Sequence, residues 1–207
     1  MTALVFLDFA SVFVFALTGA LVASRAQLDP VGFAFVACLT AVGGGTLRDL
    51  MLGRDPVFWV GQPSYILVAV AAALLVFFSA HLFESRYRVL LWLDSIALAV
   101  AVAAGTGVAL DLGHSAVIVV LMGIMTGTMG GLMRDVVCNE VPLVLKQGEI
   151  YVTAAFVGAL SAVGATALGM QGFGTLAICA TVTWCLRAGS LQFGWRLPVY
   201  KARPPRG

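Results

Sequence analysis

The chain has 207 residues, 61% of them hydrophobic and only 11% charged, with a formal net charge of +2 at pH 7 and a mean hydropathy of +1.02. Soluble domains run nearer roughly 45–50% apolar and about 25% charged, so a water-soluble globule is excluded and a polytopic membrane protein is predicted. The basic residues gather in loops and the tail, and the net charge is too small to suggest a nucleic-acid partner.

The opening Met1-Thr2-Ala3-Leu4 carries no basic region, so no cleaved signal peptide is expected. Seven apolar stretches follow, at about 3–23, 31–47, 64–80, 89–108, 115–133, 150–168 and 173–191. A spanning helix needs about 20 residues. The second and third stretches are therefore short for straight helices. The second gains length if it runs past its glycines toward Gly53, which carries Arg48 and Asp49 into the membrane. Residues 192–207 read as a basic, flexible surface tail.

Two glycine motifs organise the chain: Gly43-Gly44-Gly45-Thr46-Leu47-Arg48-Asp49 and Gly130-Gly131-Leu132-Met133-Arg134-Asp135. Glycine costs a helix about 1 kcal/mol relative to alanine, so clustered glycines predict breaks in the second and fifth helices. Loosened backbone at membrane depth is tolerated only where protein or a wet cavity surrounds it. A shift of 86 residues superposes Asp8 on Asp94, Thr40 on Thr126 and Gly44-Gly45 on Gly130-Gly131. The same shift superposes Arg48-Asp49 on Arg134-Asp135, Pro56 on Pro142 and Tyr65 on Tyr151. Each copy holds three spans, an odd number, so the second copy inserts upside down. The expected architecture is an all-α single transmembrane domain over 1–191. It contains one repeat at about 1–86, an inverted one at about 87–172, and a seventh helix at 173–191. Inverted repeats with broken helices place a solute path at the bilayer midplane.

Of the 12 lysines and arginines, all but Arg48 and Arg54 fall on one side of this topology. The positive-inside rule makes that side cytoplasmic, with the N-terminus outside.

Intramembrane carboxylates are expensive, which makes Asp8 and Asp94 candidate site residues. Each is expected to face the Arg-Asp pair of its own repeat, Arg48-Asp49 or Arg134-Asp135, at opposite mouths of one pathway. The plainer reading is that each Asp neutralises an Arg and pins two helices together. Glycine breaks free carbonyls that suit a dehydrating cation, although small residues also let helices pack closely. Thr18, Thr40, Thr46, Thr106, Thr126 and Thr128 offer hydroxyls to a path, or bond their own helix carbonyls. Tyr65 and Tyr151 read as aromatic-belt anchors, and Lys146 and Glu149 as solvated or interfacial. The cysteines Cys38, Cys138, Cys179 and Cys185 lack CxxC spacing, and neither His81 nor His114 has a partner at ligand spacing. No metal or cofactor is expected. No catalytic or nucleotide-binding motif appears, so no enzyme is predicted.

These motifs, together with Val141-Pro142-Leu143-Val144-Leu145-Lys146-Gln147-Gly148-Glu149-Ile150-Tyr151, resemble the TRIC family of trimeric intracellular cation channels. The likeness is to its prokaryotic branch and covers about residues 5–190. The resemblance implies a homotrimer in the cell (inner) membrane with one pore per protomer. Potassium would be the main permeant ion and sodium another, and membrane lipid would be a partner. It implies a pore lined by the first, second, fourth and fifth helices, with kinks at Gly43, Gly44, Gly45, Gly130 and Gly131. Met129 stands where the first motif has Gly43, so the second kink is expected to be milder. Pathway residues on this reading are Asp8, Thr18, Arg48, Asp49, Asp94, Thr106, Arg134 and Asp135. The alternative is a small-solute carrier, for example of an amino acid whose carboxylate meets Arg48 or Arg134.

Overall fold

The computed structural model describes residues 3–82, 86–198 and 200. Among them the chain forms α1 (Ala3–Arg25), α2 (Pro30–Met51), a short α3 (Phe58–Gly61), α4 (Ser64–Ser79), α5 (Arg86–Asp111), α6 (Ala116–Val137), α7 (Val152–Ala167) and α8 (Phe173–Phe193). Asp29 starts α2 by accepting the Gly32 N–H at 2.7 Å, and Pro30 occupies the first helical position, where no donor is needed. Six helices are long and apolar enough to cross a membrane, α4 with the help of the 3-10 turn that follows it, and α7 is a shorter apolar helix. The only extended pairing among the described residues is an isolated bridge between Glu149 and Arg196. The protein is an all-helical, multi-pass membrane protein. Half of the expected tail, including Lys201, Arg203 and Arg206, lies outside the described residues.

As the sequence suggested, α2 runs beyond its glycines and carries Arg48 and Asp49 within it. The expected break does not occur. Both α2 and α6 continue as uninterrupted helix through Gly43-Gly44-Gly45 and Gly130-Gly131. The reason is tertiary. A Cβ on Gly44 would fall on the Thr126 carbonyl oxygen, and one on Gly130 would fall on the Thr40 carbonyl oxygen. These glycines are the missing side chains that let two backbones touch, and that contact offsets their conformational cost. Gly45 makes room for Phe58, whose ring would sit 2.6 Å from an added Cβ, and Gly43 for Met133 at 2.8 Å. The pairs Gly44–Thr126 and Thr40–Gly130 run in opposite directions, so α2 and α6 cross antiparallel.

Two apolar cores flank this crossing. One joins α1, α2 and α4 through Phe15, Leu21, Val36 and Val76. The other joins α5, α7 and α8 through Leu98, Val102, Ala159 and Leu176. Alanine dominates both, which keeps the helices close. Large apolar side chains such as Phe6, Phe35, Leu67, Phe78 and Val117 remain on the outside, as a lipid-facing surface requires. Against this background three arginines, Arg48, Arg134 and Arg187, are fully buried.

Candidate functional site

A buried guanidinium is tolerable only when paired and hydrogen-bonded. Arg48 donates from Nη1 to Asp8 at 2.9 Å and from Nε to Asp49 at 2.8 Å. Asp49 also accepts from Arg54 and from the Phe58 backbone N–H, both at 2.8 Å. The second cluster repeats the plan. Arg134 donates from Nη1 to Asp94 at 2.9 Å and from Nε to Asp135 at 2.7 Å, and Asp135 accepts the Leu143 N–H at 2.9 Å. Each Asp of α1 or α5 therefore faces the Arg-Asp pair of its own repeat, as the spacing predicted. Phe58 and Leu143 were not singled out from the sequence. The matched prolines at 56 and 142 were the signal that each loop returns to its cluster, although the donors stand one register apart, Phe58 matching Val144 and Leu143 matching Val57.

Beyond Arg54, the clusters differ in several respects. Asp8 retains 11% side-chain exposure, whereas Asp94 has none. Both Asp94 oxygens are taken, because Oδ2 accepts the Tyr151 hydroxyl at 2.8 Å. Tyr65, the repeat mate of Tyr151, instead stacks on Phe9 at 4.0 Å and meets Phe58 edge-on at 4.9 Å. The reading of both tyrosines as belt anchors is thus corrected. They are 3% and 2% exposed, held inward by ring contacts in one case and by a carboxylate in the other. Finally, Arg134 also donates to Thr18 of α1 at 2.9 Å, where the matching position in the second repeat is Ala104.

Thr40 and Thr126 bond their own helix carbonyls, at 2.6 and 2.7 Å. They also border a small cavity with Asp8, Ser11, Gly44, Arg48 and Ala101. Its volume of about 10 Å³ is at the lower limit for holding one water. Thr106 lies apart from it, packed toward Gly123 and 4.0 Å from the Cys179 sulfur. Thr46 accepts from Trp59 at 2.9 Å, and Thr128 bonds the Ile124 carbonyl. Among the described residues no three His, Cys, Asp or Glu side chains are grouped to hold a metal.

At the Arg134 end three further basic residues form a rim. Arg25 pairs with Glu140 at 3.2 Å, Arg86 donates to the Ser24 carbonyl, and Lys146 donates to the Tyr87 hydroxyl. In the sequence Arg187 counts only among the basic residues of the cytoplasmic side. It is instead wholly buried in α8, 2.8 Å from Glu149 and over the Tyr151 ring at 4.9 Å. An ionisable residue inside the seventh apolar run was the available signal.

A family model described as Glycine transporter matches residues 5–81 and again residues 91–167. The two matches are offset by the same shift that aligns the Arg-Asp motifs. The TRIC trimeric intracellular cation channel orthologue from Rhodobacter sphaeroides is 43% identical in sequence. Its structure matches with a TM-score of 0.90 over 94% of this chain and 100% of that one. This chain belongs to the TRIC family. Other relatives carry less specific names. The UPF0126 membrane protein of Vibrio cholerae is 37% identical over 90% of this chain and 78% of its own length. The UPF0126 inner membrane protein YadS of Escherichia coli is 35% identical over 94% of both chains.

Proposed function

We propose that this TRIC-family chain is a cation channel of the inner membrane, conducting potassium and also sodium through one pore in each protomer of a homotrimer. The observation that carries the reading is the pair of equivalent clusters, Asp8–Arg48–Asp49 and Asp94–Arg134–Asp135, set on the antiparallel crossing of α2 and α6. That antiparallel contact, made by residues matched at one shift, supports two inverted three-helix repeats followed by α8. With α7 counted as a span, the chain crosses the membrane seven times. The basic rim at the Arg134 end supports placing that end in the cytoplasm and the N-terminus outside.

Each arginine in the path is held between two carboxylates. At the Arg134 cluster the carboxylates outnumber the guanidinium, so the local charge favours a cation. At the outer cluster Arg54 balances Asp49, and Asp8, bordering the small cavity, is the carboxylate a cation meets first. The closeness of α2 and α6 supports a shut pathway that opens by separation of these helices at their glycines. The name of the Rhodobacter relative supports both the trimer and the permeant charge.

Recording from purified protein in a planar bilayer under a KCl gradient tests this. Unitary currents reversing near the potassium equilibrium potential are expected, with altered conductance in Asp8→Asn. Chemical crosslinking should yield a trimer as the largest species. The second reading, a carrier of a small amino acid, is favoured by the family model's description. It also has a chemical footing: the Nη2 atoms of Arg48 and Arg134 are buried without a hydrogen-bond partner and suit a carboxylate. Electrical silence with saturable glycine uptake into vesicles would establish that reading instead.

A further inference from the structure

Arg187 sits outside the duplicated unit, on α8, yet it touches the second cluster through Tyr151. Its guanidinium lies 4.9 Å from the Tyr151 ring centroid, a cation–π distance. Its Nη2 is 2.8 Å from the Glu149 carboxylate. That ion pair is not a directed hydrogen bond, and neither Nε, Nη1 nor Nη2 of Arg187 finds a hydrogen-bond acceptor among the described residues. The guanidiniums of Arg48 and Arg134, which join helices, each spend Nε and Nη1 on carboxylates. This one makes its close contacts by charge and by its face, and the face lies on Tyr151.

Tyr151 in turn gives its only hydroxyl proton to Asp94. The support for Arg187 is itself anchored. The Glu149 backbone pairs with that of Arg196 in an isolated β-bridge, the Leu197 N–H donates to the Gly148 carbonyl at 2.8 Å, and Ser190 of α8 donates to the Trp195 carbonyl at 3.0 Å. Among the described residues the outer cluster has no counterpart to this arrangement. Tyr65 makes ring contacts with Phe9 and Phe58 instead.

We propose that Arg187 is a positioning residue for the Asp94 mouth: it seats Tyr151, whose hydroxyl holds Asp94 shut against Arg134. The inference rests on the channel reading in one respect, that Asp94 borders the ion path. The two mouths are then unequal. The Asp8 mouth is held by its arginine alone, while the Asp94 mouth is also locked from α8. For ions to pass, the Tyr151–Asp94 bond has to part.

The experiment compares wild type, Tyr151→Phe, Arg187→Gln and the double variant in two ways. In bilayers each single variant should raise open probability, by about tenfold for loss of a bond to a carboxylate, with unit conductance unchanged. The double variant should open no more often than either single one, because both changes cut one chain of contacts. In lipid nanodiscs, Arg187→Gln and Tyr151→Phe should speed amide hydrogen exchange across residues 143–151 and leave residues 48–58 as in wild type. Wild-type currents with unaltered opening in both single variants, or additive effects in the double, would overturn the proposal. So would unchanged exchange at 143–151 in Arg187→Gln. A silent wild type would count against the channel reading alone, and the exchange measurement would still decide whether Arg187 positions Tyr151. Tyr151→Phe removes a single oxygen atom and keeps the ring, so it carries the test even if Arg187→Gln folds poorly.

Discussion

Replacing Asp94 by Asn should destabilise the protein about three times as much as the same change at Asp8. Both carboxylates accept one Arg Nη1 at 2.9 Å, and neither substitution alters shape. At Asp94 the carboxylate accepts two donors, Arg134 and Tyr151, and its side chain has no exposure. An amide offers one acceptor oxygen, so one of those donors loses its partner. The Arg134 charge also loses half its compensation in a site that water does not reach. Breaking a buried pair costs about 3–5 kcal/mol, and retained Asp135 argues for the lower end, about 3 kcal/mol. At Asp8 the amide oxygen still serves Arg48, and 11% exposure lets water assist. There the loss of charge on one hydrogen bond is worth about 1 kcal/mol. For a chain of this size these figures correspond to losses in Tm of about 6–12 °C and about 2–4 °C. Thermal unfolding of the two purified variants in one detergent, followed by intrinsic tryptophan fluorescence, measures the difference. Equal losses at the two sites would refute the claim that the second cluster is the more tightly held.

The glycine contacts make a separate forecast. Gly44→Ala and Gly130→Ala should each cost about 1–3 kcal/mol in the same unfolding assay, because the added methyl meets a helix carbonyl that has no rotamer to change. Gly164→Ala, in α7 with no atom within 4 Å of the new Cβ, should instead be neutral or stabilising by about 1 kcal/mol. Arg54→Ala leaves Asp49 with Arg48 and the Phe58 N–H but removes the exposed positive partner. Cation conductance should then rise at low ionic strength and converge with wild type near 1 M salt, where screening acts within about 3 Å. Thr18→Val removes an acceptor from Arg134 alone. Its cost, about 1–2 kcal/mol, should nearly vanish in an Asp94→Asn background if the two groups form one network.

The sequence by itself determined the class of the molecule, its run of spanning helices and the identity of its charged clusters. Composition settles membrane residence because lipid admits few charges and demands internally bonded backbone. The shift of 86 residues that pairs Asp8 with Asp94 and Arg48 with Arg134 was legible because ionisable residues inside apolar runs are rare enough for each match to carry information. What the glycines do was not legible. Their intrinsic preference argues for a broken helix, and only the carbonyls of Thr40 and Thr126 lying against Gly130 and Gly44 turn the same residues into a close crossing of unbroken helices. Tyr151 and Arg187 were hidden for a related reason. A tyrosine at a helix start and an arginine near a helix end read as interfacial in one dimension, since chain position says how deep a residue lies and not which way it faces. Only the packing of α8 against α5 and α7 turns both inward and gives one of two equivalent clusters a partner that its mate lacks. Periodicity and charge fix what each helix is, whereas contacts between helices far apart in the chain fix what its polar residues meet.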